Sequence, residues 1–397
     1  MKLLNNNKRY LISTLIFIGF STFIFYKAFI TEITVDEAYS FLNYSYVENV
    51  LNIGIANNHI LNSYLVTLFQ NFGYSEIFLR LPNVIFGWIY IALVINVSLK
   101  SKNYLLSLFL LILNPYVIDF FSISRGYGIS TSLIFLSIYS YLYFKNYNLY
   151  FSIFFLIIAT TSYHVAVVFL ILFYVVNIKD LYKLKGKVAF LIVSFLVFLA
   201  SYWNIRILFF ITSFEKPLYG VQNLTLQDLI IGSFGLNALY IEQNIFFNIF
   251  LNLVVFLPIF SINTFDKKTL VTFIVSYGSL FSIYLIPFIL GKPYPLLREV
   301  VPFLPPILLL SSISMNNLFS KIKRFKLEFI SSLIIIILMY NFVNSIDINQ
   351  TIDWKDGMSK KSVLETDKCG YIVGYEDLDS VGQYYRFLDD REIINTC

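Results

Sequence analysis

Residues 148–177 read NLYFSIFFLIIATTSYHVAVVFLILFYVVN, an apolar stretch with Lys145 before it and Lys179, Lys183, Lys185 and Lys187 after it. One continuous helix of that length would measure about 45 Å, too long for a single crossing of a bilayer and too short for two full ones. Both flanks carry the lysines that mark a cytoplasmic side, so the number of crossings between them must be even. The stretch therefore reads as a hairpin of two short helices, 148–162 and 165–177, turning at Thr160–His164 beneath the opposite surface. Irregular backbone at that depth is tolerated only where protein or a water-filled cavity surrounds it. This puts His164 at the floor of an outward-facing cavity; the plainer alternative is a satisfied polar residue between helices.

The rest of the chain fits the same class. Of its 397 residues, 58% are hydrophobic, 19% aromatic and only 13% charged, with a mean hydropathy of +0.72. No soluble domain buries that much apolar surface. The net charge of +5 does not point to nucleic acid, because the basic residues are scattered rather than gathered in a patch. Further apolar segments at 10–30, 77–99, 104–121, 127–144, 188–212, 245–262, 269–290, 300–317 and 327–345 bring the expected crossings to eleven. The first follows Lys2, Lys8 and Arg9 and has no small-residue cleavage site after it, so it reads as a retained span.

Orientation follows from the short loops. Lys2, Lys8, Arg9, Lys100, Lys102, Lys145, the 179–187 lysines, Lys267, Lys268 and the basic residues at 321–326 fall on one side. Arg80, Arg125, Lys216, Lys292 and Arg298 fall on the other. That asymmetry sets the N-terminus in the cytoplasm and the C-terminus outside. The expected fold is an all-α polytopic membrane domain over 1–345, with juxtamembrane helices in an outer loop at 31–76 and a lid-like outer loop at 213–244. Residues 346–397 break the pattern and read as a small extracytoplasmic α/β appendix. Its Cys369 and Cys397 form either a disulfide or two thiols.

The outer connections hold the groups capable of chemistry. TEITVDEAYSFLNY, 31–44, places Asp36 beside Glu37 where the chain leaves the lipid. Such a pair either begins a helix, whose N-terminus favours acids, or faces a reaction. AYSFLNYSYVENVLNIGI and HILNSYLVTLFQNFG read as amphipathic helices along the membrane surface. SISRGYG, 122–128, is a tight turn carrying Arg125, and GKPYPLLREVVPFLPP, 291–306, carries Lys292 and Arg298. An acid can take a proton from a hydroxyl, and arginines can grip a phosphate with paired hydrogen bonds. With His59 and His164 on the same side, the set suits group transfer from a lipid-linked phosphate donor to a hydroxyl. Plainer readings stand beside this one: Arg125 and Arg298 as interface snorkellers, and His59 as a helix-start residue. No Gly-rich nucleotide-phosphate motif occurs. No metal-ligand set is expected, no cofactor follows from the motifs, and a divalent metal stays open.

VDEAYSFLNYS, NNHILNSYLVTLFQNFGYSEIFLRLPNVIFG and SRGYGISTSLIFLSIYSYL, in that order and spacing, resemble the N-terminal half of the GT-C glycosyltransferases. The nearest branch holds the protein O-mannosyltransferases and the aminoarabinose transferase of lipid A. The likeness is good over about 10–180 and weaker beyond, where REVVPFLPPILLL and DWKDGMSKK look like a late span and the start of a tail. The resemblance implies Asp36 as general base, with Glu37 as its acidic neighbour. It sets His59 on the histidine of a His-Pro-Pro-like motif, although HILN lacks both prolines. Arg80 matches an arginine that supports loop structure, and Arg125 with Tyr127 an Arg-x-Tyr-like turn at the cavity mouth. Arg298, with Lys292 nearby, falls where the family places a basic residue near the donor phosphate. The implied partners are a polyprenyl-phosphate-linked sugar and a glycolipid, glycan or protein acceptor at the bilayer surface. The Asn/Ile/Lys/Phe-rich composition points to a bacterial inner membrane. Competing readings are a lipid or glycan transporter or flippase, against which no internal repeat is seen and the acids cluster at the outer edge, an outer-leaflet polysaccharide polymerase, and a structural scaffold.

Overall fold

The computed structural model describes residues 2–44, 59–184, 186–214, 245–290, 297–319 and 324–346. Among these residues the secondary structure is helical, with no strand. The helices are α1 (Lys2–Ile30), α2 (Val35–Tyr44), α3 (Ile60–Phe69), α4 (Glu76–Leu99), α5 (Tyr104–Ile112), α6 (Pro115–Asp119) and α7 (Gly126–Tyr143). Then come α8 (Asn148–Ser162), α9 (Ala166–Leu184), α10 (Gly186–Phe214), α11 (Ile245–Phe260), α12 (Lys267–Leu290), α13 (Leu304–Phe319) and α14 (Arg324–Ser345). A 3-10 segment, Leu297–Phe303, leads into α13. All of the 346–397 appendix but its first residue, with the two cysteines, Lys292 and most of the 213–244 loop lie outside the described residues.

Among the described residues six stretches are long and apolar enough to cross a membrane: Asn7–Ile30, Glu76–Leu99, Lys187–Phe209, Lys267–Leu285, Val300–Leu318 and Glu328–Ser345. The chain is a multi-pass membrane protein. Its outer faces agree, since α10 exposes Phe195, Phe198 and Tyr202 and α14 exposes Phe329, Ile336 and Tyr340, side chains that only lipid would solvate. The core lies where α1, α4, α7 and α8 pack together, around Ile24, Val84, Tyr90, Phe121, Phe135 and Leu156.

Local chemistry explains the breaks. The 148–177 stretch forms two helices, α8 and α9, separated at Tyr163–Val165, the geometry its length and flanks require. The 104–121 stretch, expected as one crossing, is instead split. The Asn114 side chain accepts a hydrogen bond from the Val117 N–H at 3.1 Å, and Pro115, which has no N–H, opens the next helix. This leaves α5 with nine residues and a length of about 14 Å, too short to span alone. Beyond α6 the chain turns through 120–125 in buried, irregular backbone before α7 begins.

Candidate functional site

Thr34, Val35, Asp36 and Glu37 form a capping box at the start of α2. The Glu37 N–H donates to Thr34 Oγ1 at 3.2 Å, and the Thr34 N–H donates to Glu37 Oε2 at 3.0 Å. The same carboxylate receives Arg80 of α4 through both oxygens, Nε to Oε1 at 2.8 Å and Nη2 to Oε2 at 2.7 Å. The Arg80 guanidinium is completely buried. Its remaining protons go to the carbonyls of Ala28, Thr31 and Glu32, where α1 ends and the connection to α2 begins. Glu37 also accepts the Ser124 N–H, Oε1 to N at 2.5 Å. Burial pushes the Glu37 carboxyl up, but the Arg80 charge, its hydrogen bonds and those from Ser124 and Thr34 outweigh this. The group is held below the usual carboxylate range.

The Glu37–Ser124 bond has a consequence for the residues beside each partner. Asp36 precedes Glu37 and Arg125 follows Ser124, so the two meet: Arg125 Nη1 lies 2.9 Å from Asp36 Oδ2. Arg125 is 4% exposed and Asp36 12%, against 1% for Glu37, so of the two adjacent acids it is Asp36 that retains access. The Arg125 guanidinium stands over the Tyr127 ring, 5.5 Å from its centroid. Two asparagines brace the turn: Asn62 Nδ2 donates to the Ser124 carbonyl and hydroxyl, and Asn83 Nδ2 donates to Asn62 Oδ1 at 2.7 Å.

His59 packs edge-on to Tyr127, with centroids 5.1 Å apart, and its Nδ1–H donates to the Ser162 carbonyl at 3.0 Å. Ser162 Oγ in turn donates to the Gly126 carbonyl, which ties the end of α8 to the start of α7. There is no room for a side chain at Gly126. A Cβ there would collide with the Ser162 carbonyl and come within 2.7 Å of the His59 ring. Gly126→Ala is expected to lower the unfolding free energy by about 1–3 kcal/mol, the usual cost of overpacking, and to lower the melting temperature of the purified protein. An unchanged melting temperature would contradict this packing.

Of the residues singled out by sequence, the structure brings Asp36, Arg125, Tyr127 and His59 into one connected cluster. His164 is buried and bonds through Nδ1 to Asn204 Oδ1 of α10 at 2.8 Å, joining the α8–α9 break to that helix. Arg298 belongs to Leu297–Phe303, a segment that packs against α6 and α7. Glu37 is engaged by Arg80, Thr34 and Ser124. A buried ion pair escaped the sequence reading: Lys27 Nζ of α1 and Asp119 Oδ1 of α6, 2.5 Å apart and both sealed from solvent. The signal was present, since an ionisable residue inside an apolar stretch needs a partner. Among the described residues no group of three or more His, Cys, Asp or Glu side chains could hold a metal ion.

Among the described residues the helical order and the apolar spans define a polytopic, all-helical membrane fold. Crystal structures of ArnT from Cupriavidus metallidurans share it, one in the apo state and one bound to undecaprenyl phosphate. The apo structure aligns with a TM-score of 0.51 and 11% identity, over 79% of this chain and 60% of that one. The lipid-bound structure aligns with a TM-score of 0.51 and 12% identity, over 94% of this chain and 74% of that one. The chain thus spans about 60–74% of the length of ArnT, and the likeness is one of fold. No protein-family model matches the sequence, and no curated protein matches it either.

Proposed function

We propose that the chain is a membrane glycosyltransferase that moves a sugar from a polyprenyl-phosphate donor to a hydroxyl acceptor on the outer face of the bacterial inner membrane. The reading is carried by the meeting of Asp36 and Arg125, a carboxylate and a guanidinium 2.9 Å apart beside a fully anchored network. The fold shared with ArnT, an aminoarabinose transferase whose structure has been solved with undecaprenyl phosphate, supports it. In this mechanism Asp36 takes the proton of the acceptor hydroxyl and its oxygen attacks the anomeric carbon. The bond from that carbon to the phosphate oxygen breaks, and the polyprenyl phosphate leaves with the bonding pair. Configuration at the carbon inverts. Arg125 holds the leaving phosphate, together with Arg298 and Lys292 from the 291–306 segment. Tyr127 supports the guanidinium from below. Glu37 serves as the anchor that sets Asp36 in place, while His59 and His164 fasten the turn and the α8–α9 break around it. The N-terminus lies in the cytoplasm and the C-terminus outside.

The test is an assay of the purified chain in nanodiscs with a panel of polyprenyl-phosphate sugars and glycolipid, glycan and peptide acceptors. Release of free polyprenyl phosphate with at least one donor is expected. Donors recovered intact in every arm would overturn the reading, and transbilayer movement of a donor without cleavage would favour a flippase.

A further inference from the structure

Among the described residues Lys27 and Asp119 are the most deeply buried ion pair outside the Glu37–Arg80 cluster. Both are sealed inside the protein, 0% and 3% exposed, with Nζ and Oδ1 2.5 Å apart. Two ions removed from water gain little net stability from each other compared with apolar side chains of the same size, so such a pair calls for a reason other than stability. Its position supplies one. Asp119 is the last residue of α6 and the first anchor of the turn that ends in Arg125. Its carbonyl accepts both the Ser122 N–H, at 2.9 Å, and the Ser122 hydroxyl, at 2.7 Å, which tightens the turn from its start. The other end is held by Glu37, which accepts the Ser124 N–H, and Glu37 is held by Arg80. Arg80 is bonded to the carbonyl of Ala28, the residue next to Lys27.

These contacts close a ring: Lys27, Asp119, the 120–124 turn, Glu37, Arg80, and back to the end of α1. Both ends of the turn are tied to one helix terminus by charge, and Asp36 and Arg125 are the neighbours of its members that project from it. We infer that Lys27 and Asp119 are positioning residues, which set the height of the Arg125 guanidinium against the Asp36 carboxylate and so the fit of a lipid phosphate. The phosphate part of this inference rests on the proposed function; the tethering of the turn does not.

The experiment uses the full chain in nanodiscs with two variants. Lys27→Met with Asp119→Leu replaces the pair by apolar side chains of similar size. Asp119→Glu keeps both charges but lengthens the tether by one methylene. Melting temperature, hydrogen–deuterium exchange over 120–125 and equilibrium binding of undecaprenyl phosphate are measured for each. Both variants are expected to fold, with faster exchange confined to 120–125. Undecaprenyl phosphate should bind about tenfold more weakly, a modest share of what an ångström of misplacement can cost. Exchange at 120–125 equal to wild type in both variants overturns the inference, and so does wild-type affinity for the lipid. Failure of the wild-type protein itself to bind undecaprenyl phosphate sinks the lipid-donor reading instead, and the exchange data still decide whether the pair holds the turn.

Discussion

Asp36→Asn is expected to slow sugar transfer by about 10²–10⁴, the usual contribution of a general base, with a smaller drop in melting temperature because the buried Arg125 loses its counter-charge but keeps an amide oxygen to donate to. The substitution keeps the size of the side chain and removes its ability to accept a proton. The loss of stability should stay below that of breaking the Glu37–Arg80 pair, because α2 is started by Thr34 and Glu37, not by Asp36, and Asp36 is the more accessible of the two acids. The loss should appear in kcat for the donor that wild type uses, and a stronger nucleophile in place of the hydroxyl acceptor should recover part of it. Transfer at the wild-type rate would remove Asp36 from the reaction. A parallel collapse of the melting temperature would instead assign it a role in folding.

The second large effect concerns the neighbouring acid. Arg80→Met leaves the Glu37 carboxylate buried without its counter-charge and is expected to cost about 3–5 kcal/mol, as is usual when one member of a sealed ion pair is removed. Glu37→Gln strands the guanidinium in the same way. Combining Glu37→Leu with Arg80→Met should restore much of the stability, because no unpaired ion remains. Activity should stay low, since Ser124 has lost its acceptor and Arg125 its register. Denaturant unfolding in detergent for the two single variants and the double one separates these outcomes, and singles as stable as wild type would refute the argument. A pH effect follows with a definite sign. The folded-state pKa of Glu37 is depressed, so its stabilisation is complete above the ordinary carboxylate value of about 4.3. It is lost as pH falls below that value and through the lower folded-state one, so acid destabilises the fold there, and Glu37→Gln should flatten that part of the profile.

Much of the helical plan was legible in the chain. Length and flanking lysines were enough to split 148–177 into two helices, because a bilayer has a fixed thickness and a charge count has a parity. The adjacent acids were legible as a pair of interest, but not the division of labour between them. That depends on a hydrogen bond from Ser124, 87 residues away, which turns one acid inward and leaves its neighbour beside Arg125. The break at Asn114–Pro115 was written in plain turn chemistry and was masked by the hydropathy of the leucines around it. Lys27 and Asp119 were hidden by the same averaging, since a single charge barely moves the mean of an apolar window. Sequence assigned Arg80 to the support of loop structure, and its five hydrogen bonds across four partner residues match that role in kind.

The Glu37 carboxylate also constrains the order in which the protein can be assembled. It leaves the ribosome 43 residues ahead of Arg80 and 87 ahead of Ser124, the groups that make its burial tolerable. An ionised carboxylate without those partners stays hydrated rather than enter an apolar interior. The first turn of α2 therefore waits at the membrane surface until α4 has been inserted, and it locks only when the segment leading into α7 has followed. Docking of α2 is thus a late event in biogenesis, and the site is completed from its newest part backward.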